Sequence, residues 1–338
     1  MGIRILSGSI ADRTGKYWTI TIFGYLLNLL VVPLLALANH CEIASFLIIA
    51  ERFGKAVRTP ARDVMLSYAA KEIGTGWGFG LHEALDQIGA VLGPLIAAVI
   101  LYFRGGYSES FAILLVPAIL ALSILILAKR TYPNPHDIES KLTQDTNYKE
   151  ARGFSHLFWL YLVFVVVSVL GYVNFQLISN DFKVTSLVSD AQVPVLFAIA
   201  MGTDALVALI IGRLFDKKGL PTLIVIPILS IFIAPLVFSR YYSGALVGMI
   251  LWGAVMGIQD TIMRAAIANM IPAEKRGLAY GIFNTAYGTS WFVGSALMGV
   301  LYDISIPYVI LFSVISEVVS IPLLFGIVKQ EAEPISHK

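Results

Sequence analysis

Long apolar runs separated by short polar breaks fill the chain from Tyr17 almost to its end. Wound as α-helices at about 1.5 Å per residue, runs of about 20 residues match the hydrocarbon thickness of a bilayer. The pattern predicts spans near 17–38, 43–69, 77–103, 110–129, 155–180, 192–214, 221–239, 244–270, 278–303 and 306–328, about ten in all. They lack the strict alternation of a membrane barrel, which leaves helices as the spanning solution. The expected fold class is an all-α integral membrane protein.

Two consecutive spans break the apolar pattern. Between Glu51 and Pro94, charges sit inside sequence that otherwise reads as membrane. A charge at the centre of a lipid-facing helix costs about 2.5–3.5 kcal/mol, so this set is expected to face protein or a water-filled cavity. At 100° per residue, Glu51, Arg52, Lys55, Arg58, Arg62 and Asp63 fall within roughly 140° of arc and form one polar face. An antiparallel return of the next helix would bring Arg62 opposite Glu83 and Arg58 opposite Asp86.

Composition agrees with the pattern: 57% of the 338 residues are hydrophobic and 14% charged, which excludes a soluble globular domain. The single Cys41 excludes an internal disulfide, and the five histidines share no metal-ligand spacing. No nucleotide-binding glycine loop or nucleophile elbow is present, so neither an enzyme, a cofactor nor nucleic-acid binding is expected. Sorting the connections alternately by side puts most Lys and Arg on one side, including the segment 130–154 and the tail 329–338, and that side reads as cytoplasmic. The polar segment 130–154 reads as a linker between an N-terminal bundle, 1–129, and a C-terminal bundle, 155–328.

The chain repeats itself. Gly8, Asp12 and Gly15 have the spacing of Gly212, Asp216 and Gly219 at an offset of 204. Gly76, Gly80 and Gly93 match Gly277, Gly281 and Gly294 at an offset of 201. If the halves are equivalent, roughly 50 residues, about two helices, are expected to be missing ahead of Gly8.

The segment Gly8-Ser9-Ile10-Ala11-Asp12-Arg13-Thr14-Gly15-Lys16 resembles the cytoplasmic loop signature of the major facilitator superfamily of secondary transporters, and Gly212 to Gly219 is its weaker echo. Gly89-Ala90-Val91-Leu92-Gly93-Pro94 is similar to the fifth-helix pattern of the family's proton-coupled drug exporters, and Arg52 stands where the resemblance implies the arginine of the fourth helix. The resemblance implies two pseudo-symmetric bundles of six helices, with the first helix and most of the second lacking here. It also implies a monomer in the cell membrane that exports a small, partly hydrophobic molecule in exchange for protons by alternating access. Uptake of an organic anion or metabolite with protons is the alternative, resting on the bases of the fourth helix. A non-transporting fragment or assembly partner is the alternative of another class.

Several residues carry these expectations. Asp12, with Gly8, Arg13, Gly15 and Lys16, is expected either to accept from N–H groups at a neighbouring helix start and latch the bundles, or to be a solvated loop. Gly89, Gly93 and Pro94 read as a hinge, or as ordinary small-residue packing against Ala198, Gly202, Ala205 and Ala208. The charge network of Arg52, Arg58, Arg62, Asp63, Glu83 and Asp86 reads as structural or gating, or as a substrate or proton site. A proton carrier needs a buried acid without a fixed basic partner, and Asp204 fits best; Asp260 lies four residues before Arg264 and is expected to pair with it, and Glu317 ranks below Asp204. Asn174, Trp252, Gln259, Arg264, Asn284 and Tyr287 are candidates to line a substrate cavity, with Tyr172, Phe175, Tyr280 and Trp291 beside them.

Overall fold

The computed structural model describes residues 2–38, 40–102, 107–134, 153–189 and 192–332. Most of the expected linker and the end of the tail lie outside these residues, as does the side chain of Pro94. Among the described residues no strand occurs, and the fold is all-α. The helices are α1 Gly2–Thr14, α2 Tyr17–Leu34, α3 Cys41–Ala70, α4 Thr75–Tyr102, α5 Tyr107–Ile113, α6 Leu115–Thr131 and α7 His156–Gly171. They continue with α8 Phe175–Val184, α9 Gln192–Lys218, α10 Val225–Val237, α11 Tyr242–Ile258, α12 Arg264–Met270, α13 Arg276–Ile304 and α14 Ile306–Ala332.

Every predicted span falls on one of these helices or on a consecutive pair. Among the described residues, seven stretches are long and apolar enough to cross a membrane: Tyr17–Leu37, Ser108–Thr131, His156–Val184, Gln192–Lys218, Leu220–Val237, Tyr242–Met270 and Ile306–Glu331. The other three expected spans are α3, α4 and α13, whose 30, 28 and 29 residues are long enough but carry the charges and glycines. On α6 only Ala118 is buried, while Val116, Ile119, Leu120, Ile124 and Leu127 are exposed, as expected when lipid is the solvent.

Two spans predicted as continuous are interrupted. The run 155–180 divides into α7 and α8 at Tyr172-Val173, and the Val173 carbonyl released there accepts from Trp252 Nε1 at 2.8 Å. Asn174 then caps α8, its Oδ1 accepting from the Leu177 N–H at 2.8 Å. The run 244–270 contains a π-helical turn, Gln259–Met263, between α11 and α12. Apolarity alone registers neither break, because both stay within membrane-like sequence.

The chain divides into two compact units. The first comprises Met1–Lys71, Gly89–Asn147 and Ile271–Thr285; the second comprises Glu72–Ile88, Tyr148–Met270 and Ala286–Lys338. In the first, α2 and α3 cross at Gly24 and Gly54, where an added Cβ on Gly24 would lie 2.8 Å from the Gly54 carbonyl oxygen. In the second, α9 and α11 cross with Gly253 against the Ala200 carbonyl and Gly257 against that of Asp204. Glycine at these positions lets the backbones approach more closely than any side chain allows.

Candidate functional site

The two copies of the loop motif build the same contact. Asp12, on the last turn of α1, accepts from the Gly277 N–H at 2.9 Å and the Leu278 N–H at 2.7 Å, at the start of α13. Asp216, near the end of α9, accepts from the Gly76 N–H at 2.7 Å and the Trp77 N–H at 2.8 Å, at the start of α4. A helix start offers unsatisfied N–H groups and the positive end of its dipole, so a carboxylate there is doubly stabilised.

Glycines make both approaches possible. An added Cβ on Gly8 would overlap the Gly277 carbonyl, and one on Gly212 would overlap that of Gly76. Gly15 and Gly219 turn the chain at φ 65° and 67°, in the left-handed region that favours glycine. The settings differ in detail. Asp12 is half-buried and also accepts from the Tyr17 hydroxyl at 3.0 Å, whereas Asp216 is exposed, with the Arg213 guanidinium stacked 3.9 Å over the Trp77 ring beside it. Burial pushes the Asp12 carboxyl above its usual range, and the Leu278 N–H acts against that shift. Arg13 and Lys16 are exposed.

A polar cluster in the first unit centres on Asp63. Its Oδ1 accepts from Arg62 Nε at 3.1 Å and NH2 at 2.7 Å, and its Oδ2 from Asn284 Nδ2 at 3.2 Å. Arg4 donates to the Asn284 carbonyl at 2.7 Å, joining α1 and α13 to α3. Arg58 lies 4.1 Å over the Tyr25 ring, and Arg52 pairs with Glu51 at 3.1 Å with most of its side chain exposed.

The second unit holds a cluster of different composition. Arg264 NH2 meets Glu83 Oε2 at 2.5 Å and Asp260 Oδ1 at 3.8 Å. The Arg264 Nε also donates to the carbonyl of Asp260, a residue of the π-helical turn that ends just before Arg264. Gln87 Nε2 donates both to Glu83 Oε1 at 2.7 Å and to Asp204 Oδ2 at 3.0 Å, so one amide bridges two carboxylates. Asp204 is fully buried, and its Oδ1 has no hydrogen-bond partner among the described residues. Tyr287 donates to Gln259 Oε1 at 3.2 Å, and the buried Gln259 Nε2 is likewise without a described partner.

The expected pairing of Asp260 with Arg264 is present. Glu83, expected opposite Arg62 on an antiparallel return, pairs instead with Arg264, and Arg62 pairs with its own neighbour, Asp63. Asp86 is exposed on α4. Among the aromatic candidates, Tyr172 stacks on Trp252 at 5.7 Å and meets Trp291 at 5.4 Å, Phe175 meets Trp252 at 6.0 Å, and Tyr287 stacks on Trp291 at 6.0 Å. Asn174 is occupied as a helix cap.

The close approach of α4 to α9 runs through Gly76 and Gly80, where an added Cβ would meet the Gly212 and Ala208 carbonyls. At Gly89, Gly93 and Gly202 an added Cβ meets no described atom within 4 Å. Glu317, on α14, is fully buried and accepts from the Ser168 hydroxyl at 3.0 Å.

Sequence reasoning missed Gln87 and Arg4. Gln87 carried a usable signal, since it stands four residues after Glu83 and so shares its helix face. Arg4 carried none, because its partner Asn284 is 280 residues away.

Residues 3–238 and 157–338 match the family model described as Major Facilitator Superfamily. An uncharacterized protein of Mycobacterium tuberculosis is 39% identical over 330 residues, which cover 97% of this chain and 81% of that protein. Among solved structures, the human organic anion transporter MFSD10 (TETRAN) superposes with a TM-score of 0.71 at 12% identity, covering 96% of this chain and 81% of that one. The proton:xylose symporter XylE gives 0.67 at 14% identity, covering 96% and 82%.

Proposed function

Because the chain belongs to the major facilitator superfamily and is a secondary transporter of that fold, we propose that it exports a small, partly hydrophobic molecule in exchange for protons. The observation that carries this reading is Asp204: a fully buried carboxyl, tethered at one oxygen by Gln87 and open at the other among the described residues. Glu83 and Asp260 take up the Arg264 guanidinium, so Asp204 is held by a neutral amide. Burying a carboxylate without a countercharge is costly, and binding a proton removes that cost. Proton uptake and release there would alter the hydrogen bond to Gln87 and, through it, Glu83. Asp260 serves as an ion-pair partner of Arg264 in this scheme.

The loop aspartates act as cytoplasmic latches. Asp12 belongs to the first bundle, 1–129, and holds a helix of the second, 155–328; Asp216 does the reverse. Releasing both frees the bundles to rock about a midplane site, and the open faces of Gly89 and Gly93 leave α4 room to find a neighbour in the alternate state. The aromatic group of Tyr172, Trp252, Tyr287 and Trp291 offers apolar faces and a hydroxyl suited to a flat, partly hydrophobic substrate. The protein works as a monomer in the cell membrane, with linker and tail in the cytoplasm.

In proteoliposomes, dye efflux should respond to an imposed pH gradient in the parent protein, and Asp204→Asn should abolish that response while leaving the protein inserted. An unchanged response in Asp204→Asn removes Asp204 from the coupling. A second reading, uptake of an organic anion with protons, draws on the two guanidinium groups, Arg4 and Arg62, gathered about the single carboxylate of Asp63. Saturable anion accumulation that Arg62→Gln removes would favour it over export.

A further inference from the structure

A second buried acid is built differently from Asp204. Glu317 lies fully buried on α14, where that helix packs against α7 and α10. Ser168 of α7 donates to Oε2 at 3.0 Å, and Ser230 of α10 and Ser320 of α14 stand at the same carboxyl. Ser320 is committed to the Glu317 backbone carbonyl at 2.8 Å. By distance and angle, Glu317 Oε1 and the Ser230 hydroxyl, which is 2% exposed, make no hydrogen bond among the described residues, although Ser230 stands close enough to the carboxyl to act on it electrostatically.

Among the described residues of the elements packed here, no base lies near enough to neutralise this carboxyl. The titratable side chains of α7 are His156 at its start and Tyr161, which donates to the Met263 carbonyl; α10 and the turn Leu220–Ile224 carry none. On α14 itself the others are Tyr308, Lys329 and Glu331. The lysine is twelve residues from Glu317, about 18 Å along a helix. A carboxyl in this setting either holds a proton or, as a carboxylate, needs a bound cation, because an isolated buried charge is too costly. What surrounds it is oxygen: two carboxylate atoms and the hydroxyls of two further helices, the donor set of a hard cation.

We propose that Glu317, Ser168 and Ser230 bind a small monovalent metal cation of sodium size, joining α7 and α10 to α14. Occupancy fixes the end of α7. Ser313 donates to the Gly171 carbonyl at 2.7 Å, and an added Cβ on Gly171 would lie 2.6 Å from Ser316 Cβ. Four residues beyond Ser168, Tyr172 donates to the Trp252 carbonyl at 2.6 Å. The ion therefore sets the position of the aromatic group from behind, one helical turn away, without touching a substrate.

The test is thermal unfolding of the purified full chain at mildly alkaline pH, with choline chloride replaced by sodium chloride at fixed ionic strength. A ligand that binds only the folded state raises the melting temperature in a saturable way. Sodium should do so, with lithium effective and choline inert, and radioactive sodium should bind at one ion per chain. Ser230→Ala and Ser168→Ala, which keep the carboxyl, should each weaken sodium by about 10-fold or more, and Glu317→Gln should remove the effect. Asp204→Asn should leave it intact, which separates this proposal from the proton-coupling reading. Equal melting temperatures in sodium and choline, or a dependence on pH alone, would show that the carboxyl holds only a proton and overturn the proposal. Unchanged sodium affinity in both serine variants overturns it as well, whether or not Glu317→Gln folds.

Discussion

Around Asp63 the structure places the Arg62 guanidinium and, through Asn284, that of Arg4; around Arg264 it places the carboxylates of Glu83 and Asp260 and, through Gln87, that of Asp204. In the first cluster both oxygens of the acid accept from a fixed donor. In the second, Asp204 keeps one buried oxygen unengaged among the described residues. A saturated cluster holds its helices together as it stands, and changing the charge of its acid removes contacts. An unsaturated one has room for a proton or a ligand, and the excess of acid says which sign it accepts. Polar residues of similar number inside one membrane protein thus divide by satisfaction, not by count.

The largest effect that would test this division is on Arg264. Arg264→Ala leaves Glu83 and Asp260 without their guanidinium, and about 3–5 kcal/mol of stability should be lost, read as a fall in melting temperature in detergent. Arg62→Ala should cost less, since Asp63 retains the Asn284 amide; equal losses would erase the distinction between the clusters. Next comes Gln87→Ala, which breaks two charge-assisted hydrogen bonds and should cost about 1.5–3 kcal/mol, and it should also move the pH dependence of transport. No shift in that profile would detach Gln87 from Asp204. Replacing the loop aspartates by alanine removes caps worth about 0.5–2 kcal/mol, with half-buried Asp12 at the upper end and exposed Asp216 at the lower. Melting temperatures of the two variants, ranked the other way, would contradict the burial argument. Gly89→Ala should be the mildest change, within about 1 kcal/mol and stabilising if anything, whereas Gly80→Ala meets the Ala208 carbonyl and should destabilise.

The loop contacts were the most legible part of the site. Glycine spacing marked the turn, the acid between the glycines marked an acceptor, and the repeat offset of 201 had already singled out Gly76 and Gly277. What the sequence withheld was that those glycines supply the N–H groups. The cluster around Arg264 was half legible: Asp260 and Arg264 are one turn apart and obey local spacing, but Glu83 is 181 residues from its arginine. Helical periodicity reports which face a residue occupies, and it is silent on which distant face that one meets. The helix break at Tyr172 was hidden for a related reason, since the carbonyl it frees is satisfied by an indole from another helix.

The two aspartate contacts have a consequence for ancestry. Asp12 and Asp216 are separated by 204 positions, their N–H donor pairs by 201, and each reaches across from its own half of the sequence to the other half. Reciprocal contacts of this kind are what a two-fold homodimer makes, where residue i of one copy meets residue j of its twin and the reverse holds by symmetry. A half-length progenitor carrying one aspartate and one glycine-led helix would have clasped its twin twice with a single gene. Within one chain the two clasps are no longer bound to be identical, and the carboxylates differ in burial, Asp12 half-buried and Asp216 exposed.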